Sequence, residues 1–169
     1  GNTAFAECGT ILTSTVLNGN INTIEELEAA QIDNASYKDF LASYIMKLGE
    51  NISVKQFKRT KGSFVSTYSH LHGKIGVQVT FNNKIDSELA KSIAMQIAAT
   101  NPNYIKPEDI NQEEINNEKE IIKTQAENEG KPQNVVEKIV EGRIQKYYKE
   151  VCLLEQPFIK DDSSNVKNT

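Results

Sequence analysis

Ile75, Val77, Val79 and Phe81 fall at every second position, with Lys74, Gly76, Gln78 and Thr80 between them. That alternation predicts a strand with one buried face. A second β-rich run, residues 63–69, comes just before it. Gly73 can turn the chain, so the two runs predict an antiparallel hairpin with its loop near 71–74. Helical spacing lies on both sides. Phe5, Cys8, Ile11, Leu12, Thr15 and Val16 repeat at three and four, and Asn18-Gly19 stops that helix. Residues 23–30 predict one or two helical turns, with Thr23 as a cap and Glu26 three residues on. Ser36 caps the next helix, whose broad apolar stripe is Tyr37, Phe40, Leu41, Tyr44, Ile45 and Leu48. Gly49 ends it.

Ile52, Val54 and Phe57 predict a short strand. Lys55, Lys58, Arg59 and Lys61 lie along it, as guard charges on a sheet edge or as a contact to phosphate or an acidic patch. After the hairpin, Asp86 or Ser87 caps a helix carrying Leu89, Ala90, Ile93, Ala94, Ile97 and Ala98, ended by Asn101-Pro102. The alanines leave room for a close neighbour. Two further helices flank Gly130-Lys131-Pro132, with Gly130 as a C-terminal cap and Pro132 in the first turn of the second. The first has a thin stripe, Ile115, Ile122 and Ala126. The second is richer: Val136, Ile139, Val140, Arg143, Ile144, Tyr147 and Val151. Residues 108–129 hold eight acidic and two basic side chains, and residues 131–149 hold five basic and two acidic. Opposite-signed helices joined by a tight turn predict an antiparallel helical hairpin.

These elements predict an α+β fold: a small antiparallel sheet flanked by helices, with a projecting antiparallel helical hairpin, a coiled-coil arm. The expected subdomains are 1–82 and 83–160, with the hairpin at about 111–150 and a flexible tail at 161–169. Phe158 and Ile159 are expected to tuck back onto the body.

At 169 residues and 38% hydrophobic content, the chain suits one domain, or one with an appendage. Net charge −4 and pI about 5.3 argue against a general nucleic-acid or membrane surface and favour a protein partner or a small local site. No stretch approaches the roughly 18 apolar residues of a membrane span. Cys8 and Cys152 read as reduced, buried thiols. The chain begins at Gly1 within a helical pattern, as a fragment or cleaved piece would.

No active site emerges. His70 and His72 alternate near the hairpin turn, but zinc needs three or four ligands and neither cysteine is near in sequence. Gly49, Gly62, Gly73 and Gly76 are isolated, so no phosphate loop is present. Glu113-Glu114 reads as a solvated helical face rather than an acid–base pair. Neither cofactor, metal nor covalent chemistry is expected.

The run Leu48-Gly49-Glu50-Asn51-Ile52, followed by Val54, Phe57 and Lys58-Arg59, resembles the Gly-Glu-Asn-Ile motif of the translation elongation factor Ts family. Further segments resemble it in the same order. They are Tyr68, His70 and residues 73–77; Ile93-Ala94-Met95 with Ala98-Ala99 and Pro102; Pro107-Glu108-Asp109; Gly130-Lys131-Pro132; residues 139–143; and Leu153-Leu154 with Gln156-Pro157-Phe158. The resemblance implies a nucleotide exchange factor, not an enzyme. Such a factor binds elongation factor Tu, a GTPase, and expels GDP. It also implies an α+β core in two subdomains with a coiled-coil arm that serves dimerisation or the partner, and a bacterial cytoplasm or an organellar matrix as the compartment. The family's Thr-Asp-Phe-Val motif and its late Gly-Glu-Gly core strand find no counterpart here. An exposed sheet edge that pairs with another copy is therefore expected, and a homodimer with it. Gln96 stands where the family usually has His, and Gln78 where it has an apolar residue. The resemblance makes Gln96 and Ile93 candidates for the GTPase side, with His70 beside them at the hairpin. Arg143, Tyr147 and Tyr148 are candidates on the arm, the tyrosines equally for packing within it. Gly49, Glu50, Asn51, Gly73, Gly130 and Pro132 are assigned structural roles. Two other readings remain: a docking or dimerisation module with little exchange activity, and an unrelated nucleic-acid binder using Lys55 to Lys61.

Overall fold

The computed structural model describes residues 2–169. It forms two compact units, Gly1–Gly62 and Ser63–Thr169.

The first unit is built from capped helices. α1 (Thr3–Asn18) starts at Asn2, whose side chain accepts from Ala4 N at 2.9 Å. α2 (Ile24–Glu28) carries the capping box of Thr23 and Glu26. Two short strands follow, β1 (Gln31–Ile32) and β2 (Ala35–Ser36), paired antiparallel. Asp33 and Asn34 join them at φ 49° and 64°, the left-handed pair that a two-residue hairpin turn demands. α3 (Tyr37–Leu48) is capped by Ser36, which accepts from Asp39 N at 3.1 Å, and ends at Gly49 with φ 71°. Cys8, Val16, Ile21, Leu27, Ile32, Phe40, Leu41 and Tyr44 make one buried core.

The expected strand at Ile52, Val54 and Phe57 does not form. Residues 50–62 contain no helix or strand. Phe57 breaks the two-residue period, and no strand pairs with the segment. The three apolar side chains nonetheless pack onto the core of the first unit.

The second unit opens with β3 (Phe64–His70) and β4 (Ile75–Phe81), antiparallel from Phe64↔Phe81 to His70↔Ile75. Their inner face meets α4 (Ser87–Thr100). Ala90 and Ala94 are fully buried, so small side chains on α4 let the sheet approach. The face is half-buried rather than sealed: Val77, Val79 and Phe81 are partly covered and Ile75 is exposed. Because the hairpin packs on α4, the units divide at Gly62/Ser63 rather than at the 82/83 boundary expected from the sequence.

α5 (Gln112–Asn128) and α6 (Gln133–Val151) pack together as a helical hairpin. Gly130 turns it at φ 73°, and Pro132 sits at the N-cap of α6. The chain then forms β5 (Pro157–Phe158) and β6 (Asp161–Asn165), which pair antiparallel. The tail expected to be flexible is thus ordered. Val166 is buried with Leu153 and Phe158, and that docking holds the last residues against the body. Phe158 tucks in as expected, while Ile159 stays exposed.

Candidate functional site

The hairpin tip is conformationally unusual. Leu71, His72 and Gly73 run in succession at φ 50°, 55° and 89°. Glycine accepts this region freely, whereas a leucine there costs about 1–2 kcal/mol through its Cβ. Leu71 is also 55% exposed, so neither burial nor packing offsets that strain. His70, at the strand end, is half-buried, with Nδ1 3.1 Å from the Tyr68 hydroxyl on the same face.

Gln96 lies elsewhere than at a surface. It is 0% exposed, and its amide is fully used. Nε2 donates to Gln156 Oε1 and to the Pro157 carbonyl, both at 3.1 Å. Oε1 accepts from Ile159 N at 2.8 Å. Gln156 is buried too; it accepts from Thr100 Oγ1 at 2.8 Å and donates to the Glu150 carbonyl at 3.1 Å. Two amides thus tie α4, the end of α6 and the 156–159 segment into one network. The expectation that Gln96 faces a partner is corrected, since every polar atom of its side chain is spent internally. Ile93 is half-buried and packs against the Leu153, Phe158 and Val166 cluster.

The root of the helical hairpin holds a second network that sequence reading missed. Tyr104 donates to Glu114 Oε2 at 2.6 Å, and Tyr147 donates to Oε1 at 2.5 Å. Two phenols on one carboxylate are charge-assisted bonds. Tyr104, and then Tyr147, lower the Glu114 pKa below its ordinary value. Burial first, and then Glu114, raise that of Tyr147. Backbone bonds complete the clamp: Asn103 N and Tyr104 N donate to the Val151 carbonyl, and Leu153 N donates to that of Tyr104. Ile110, Ile115 and Cys152 are buried beneath, with the Cys152 thiol pushed up to about 11 by burial, then by Glu155. No local sequence signal links Glu114 to tyrosines ten and 33 residues away.

Along the hairpin, Arg143 is exposed, donates to Gln125 Oε1 at 3.0 Å and lies 3.9 Å from the Glu129 carboxylate. Tyr148 is half-buried and lines an open groove of about 500 Å³ with Lys119, Lys123, Val140 and Ile144. Glu50 and Asn51 are exposed, so the turn after α3 rests on Gly49. The predicted partner residues do not converge. Of the six, Arg143 alone is exposed, while His70, Ile93, Tyr147 and Tyr148 are partly covered and Gln96 is buried. Among the described residues, no group of three or more His, Cys, Asp or Glu is placed to hold a metal ion. No helix among them is long and apolar enough to cross a membrane.

Comparison with known proteins agrees with the family resemblance. The chain matches the elongation factor TS family over residues 1–169. It is 43% identical over 158 residues to elongation factor Ts of Clostridium perfringens (strain SM101 / Type A), covering 89% of this chain and 52% of the relative. It is 46% identical over 155 residues to elongation factor Ts of Clostridium acetobutylicum, covering 87% of this chain and 51% of the relative. The chain therefore spans about half the length of the curated relatives it matches. A family match over residues 1–169, with relatives 43–46% identical, means that the chain belongs to the elongation factor Ts family.

Proposed function

We propose that the chain is a partner-binding core of an elongation factor Ts, which engages elongation factor Tu and promotes GDP release during translation elongation. The observation that carries this reading is the family match over residues 1–169. The work is done by binding, without covalent or metal chemistry. A factor that prefers the nucleotide-free GTPase to the GDP-bound one lowers GDP affinity by the same coupling free energy. Each tenfold preference corresponds to about 1.4 kcal/mol.

Two surfaces suit such a partner. The β3–β4 tip presents an exposed Leu71 on strained backbone, with His70 behind it, and strained backbone clusters at functional sites. The α5–α6 hairpin presents Arg143 and the groove beside Tyr148, and acts as an arm toward the partner or a second copy. The compartment this reading gives is a bacterial cytoplasm.

The burial of Gln96 favours a second reading, a docking or dimerisation module with weak exchange. Loading elongation factor Tu with a fluorescent GDP analogue and following its release against the concentration of this chain separates the two. Acceleration supports the exchange core. Binding without acceleration supports the docking module. Absence of binding refutes both.

A further inference from the structure

Between Glu50 and Asp86 the chain has no aspartate or glutamate, yet it carries Lys55, Lys58, Arg59, Lys61, Lys74 and Lys84. In a chain of net charge −4, the four cations of residues 55–61 lie close enough in sequence to concentrate positive potential locally. The first four cations fall in the irregular segment before the boundary of the first unit. Ile52, Val54 and Phe57 anchor that segment to the core. Lys55, Lys58, Arg59 and Lys61 are all exposed. Arg59 donates to the Asn20 side chain. Among the described residues, the ion pairs are Arg143 with Glu129 and Lys146 with Glu150, and none involves these four.

Guarding a sheet edge no longer explains them. The segment forms no strand, so there is no open ladder for lysines to protect. A side-by-side arrangement remains. Lysines three residues apart on extended backbone are separated by at most about 10 Å. That is close to the screening length of about 8–10 Å at moderate salt, so their fields overlap.

We propose that residues 55–61 form an electrostatic docking strip for an acidic surface on the protein partner. The inference rests on the partner-binding reading above and names the chemistry of one contact. Nucleic acid fits less well. The aromatic rings of the cation-rich block, Phe57, Phe64, Tyr68 and Phe81, are all half-buried and offer no open stacking platform. A strip of mobile ammonium groups suits diffuse attraction to carboxylates, which raises association rate more than it slows dissociation.

The test is stopped-flow association with elongation factor Tu from low to high salt. It compares the unmodified chain with a Lys55→Glu, Lys58→Glu, Lys61→Glu variant. A second variant, Lys38→Glu, Lys160→Glu, Lys167→Glu, changes the net charge equally at other exposed sites. Thermal unfolding checks that each variant is folded. The strip variant is expected to associate about tenfold more slowly at low salt, with a flattened salt dependence and a nearly unchanged dissociation rate. The second variant is expected to keep most of the original rate. Equal slowing in both variants would overturn the strip in favour of overall charge. An unchanged rate in the strip variant would overturn it outright. Binding of labelled single-stranded RNA that the strip variant alone loses, with partner association intact, would reassign the strip to nucleic acid. If the unmodified chain fails to associate at all, the partner-binding reading falls and the strip falls with it.

Discussion

The β3–β4 tip and the root of the α5–α6 hairpin are both held by few residues, but in opposite ways. At the root, Tyr104, Glu114, Tyr147 and the backbone of 103–105 and 151–154 satisfy one another. At the tip, Leu71 and His72 adopt left-handed backbone while remaining exposed. The root spends polar groups on fixing a direction. The tip keeps an apolar group uncovered at a cost in stability. Backbone strain of this kind clusters at functional sites, which is why the tip is one of the two surfaces proposed for the partner. The contrast also explains Gln96: it belongs with the root, as a buried group whose hydrogen bonds are internal.

The largest effect is expected from Gln96→Leu. It removes the partners of the Pro157 carbonyl and Ile159 N, and each unsatisfied buried group costs about 1–3 kcal/mol. Urea unfolding should show a loss of about 3 kcal/mol, with amide exchange accelerated over 157–166. A change within 0.5 kcal/mol, about what an ordinary surface substitution gives, would place Gln96 at the surface after all.

Glu114→Gln should come next, and its signature is pH. The folded pKa of Glu114 is lowered, so its contribution to stability is present above the ordinary value of 4.5 and is lost as pH falls through the folded value. The stability difference between the native chain and Glu114→Gln should therefore shrink as pH drops below about 4.5. A difference that stays constant with pH would mean the two phenols do not hold the carboxylate.

Leu71→Gly probes the tip in the opposite direction. Relief of left-handed strain should stabilise the chain by about 1 kcal/mol, less any entropy gained by the unfolded chain. Binding to elongation factor Tu should weaken at the same time. Gain of stability without loss of affinity would show that the tip is a turn and nothing more.

Arg143→Gln should be the mildest. Its ion pair with Glu129 is exposed and long, and such pairs contribute about 0–1 kcal/mol. Stability should hardly change, so a clear loss of partner affinity in titration would assign Arg143 to the arm's contact surface.

Much of the framework was legible in the sequence because it is local. The alternation of Ile75, Val77, Val79 and Phe81, the caps at Thr23, Ser36 and Asp86, and the stops at Gly49 and Gly130 all act within four or five residues. Helix and strand periods and cap chemistry operate over that range. The strand expected at Ile52 to Phe57 failed because an apolar alternation needs a pairing partner, and the fold supplies none.

Local pattern was enough to place the helices, the β3–β4 hairpin and the turn between α5 and α6, and to point to the family. Tertiary structure alone decided which polar side chains are spent inside. Gln96 meets Gln156 across 60 residues, and Glu114 meets Tyr147 across 33. It also decided that Val166 orders the tail. The reason is physical: a hydrogen-bonding side chain has the same local pattern whether it faces water or a buried partner. Only the packing of distant segments settles which of the two satisfies it.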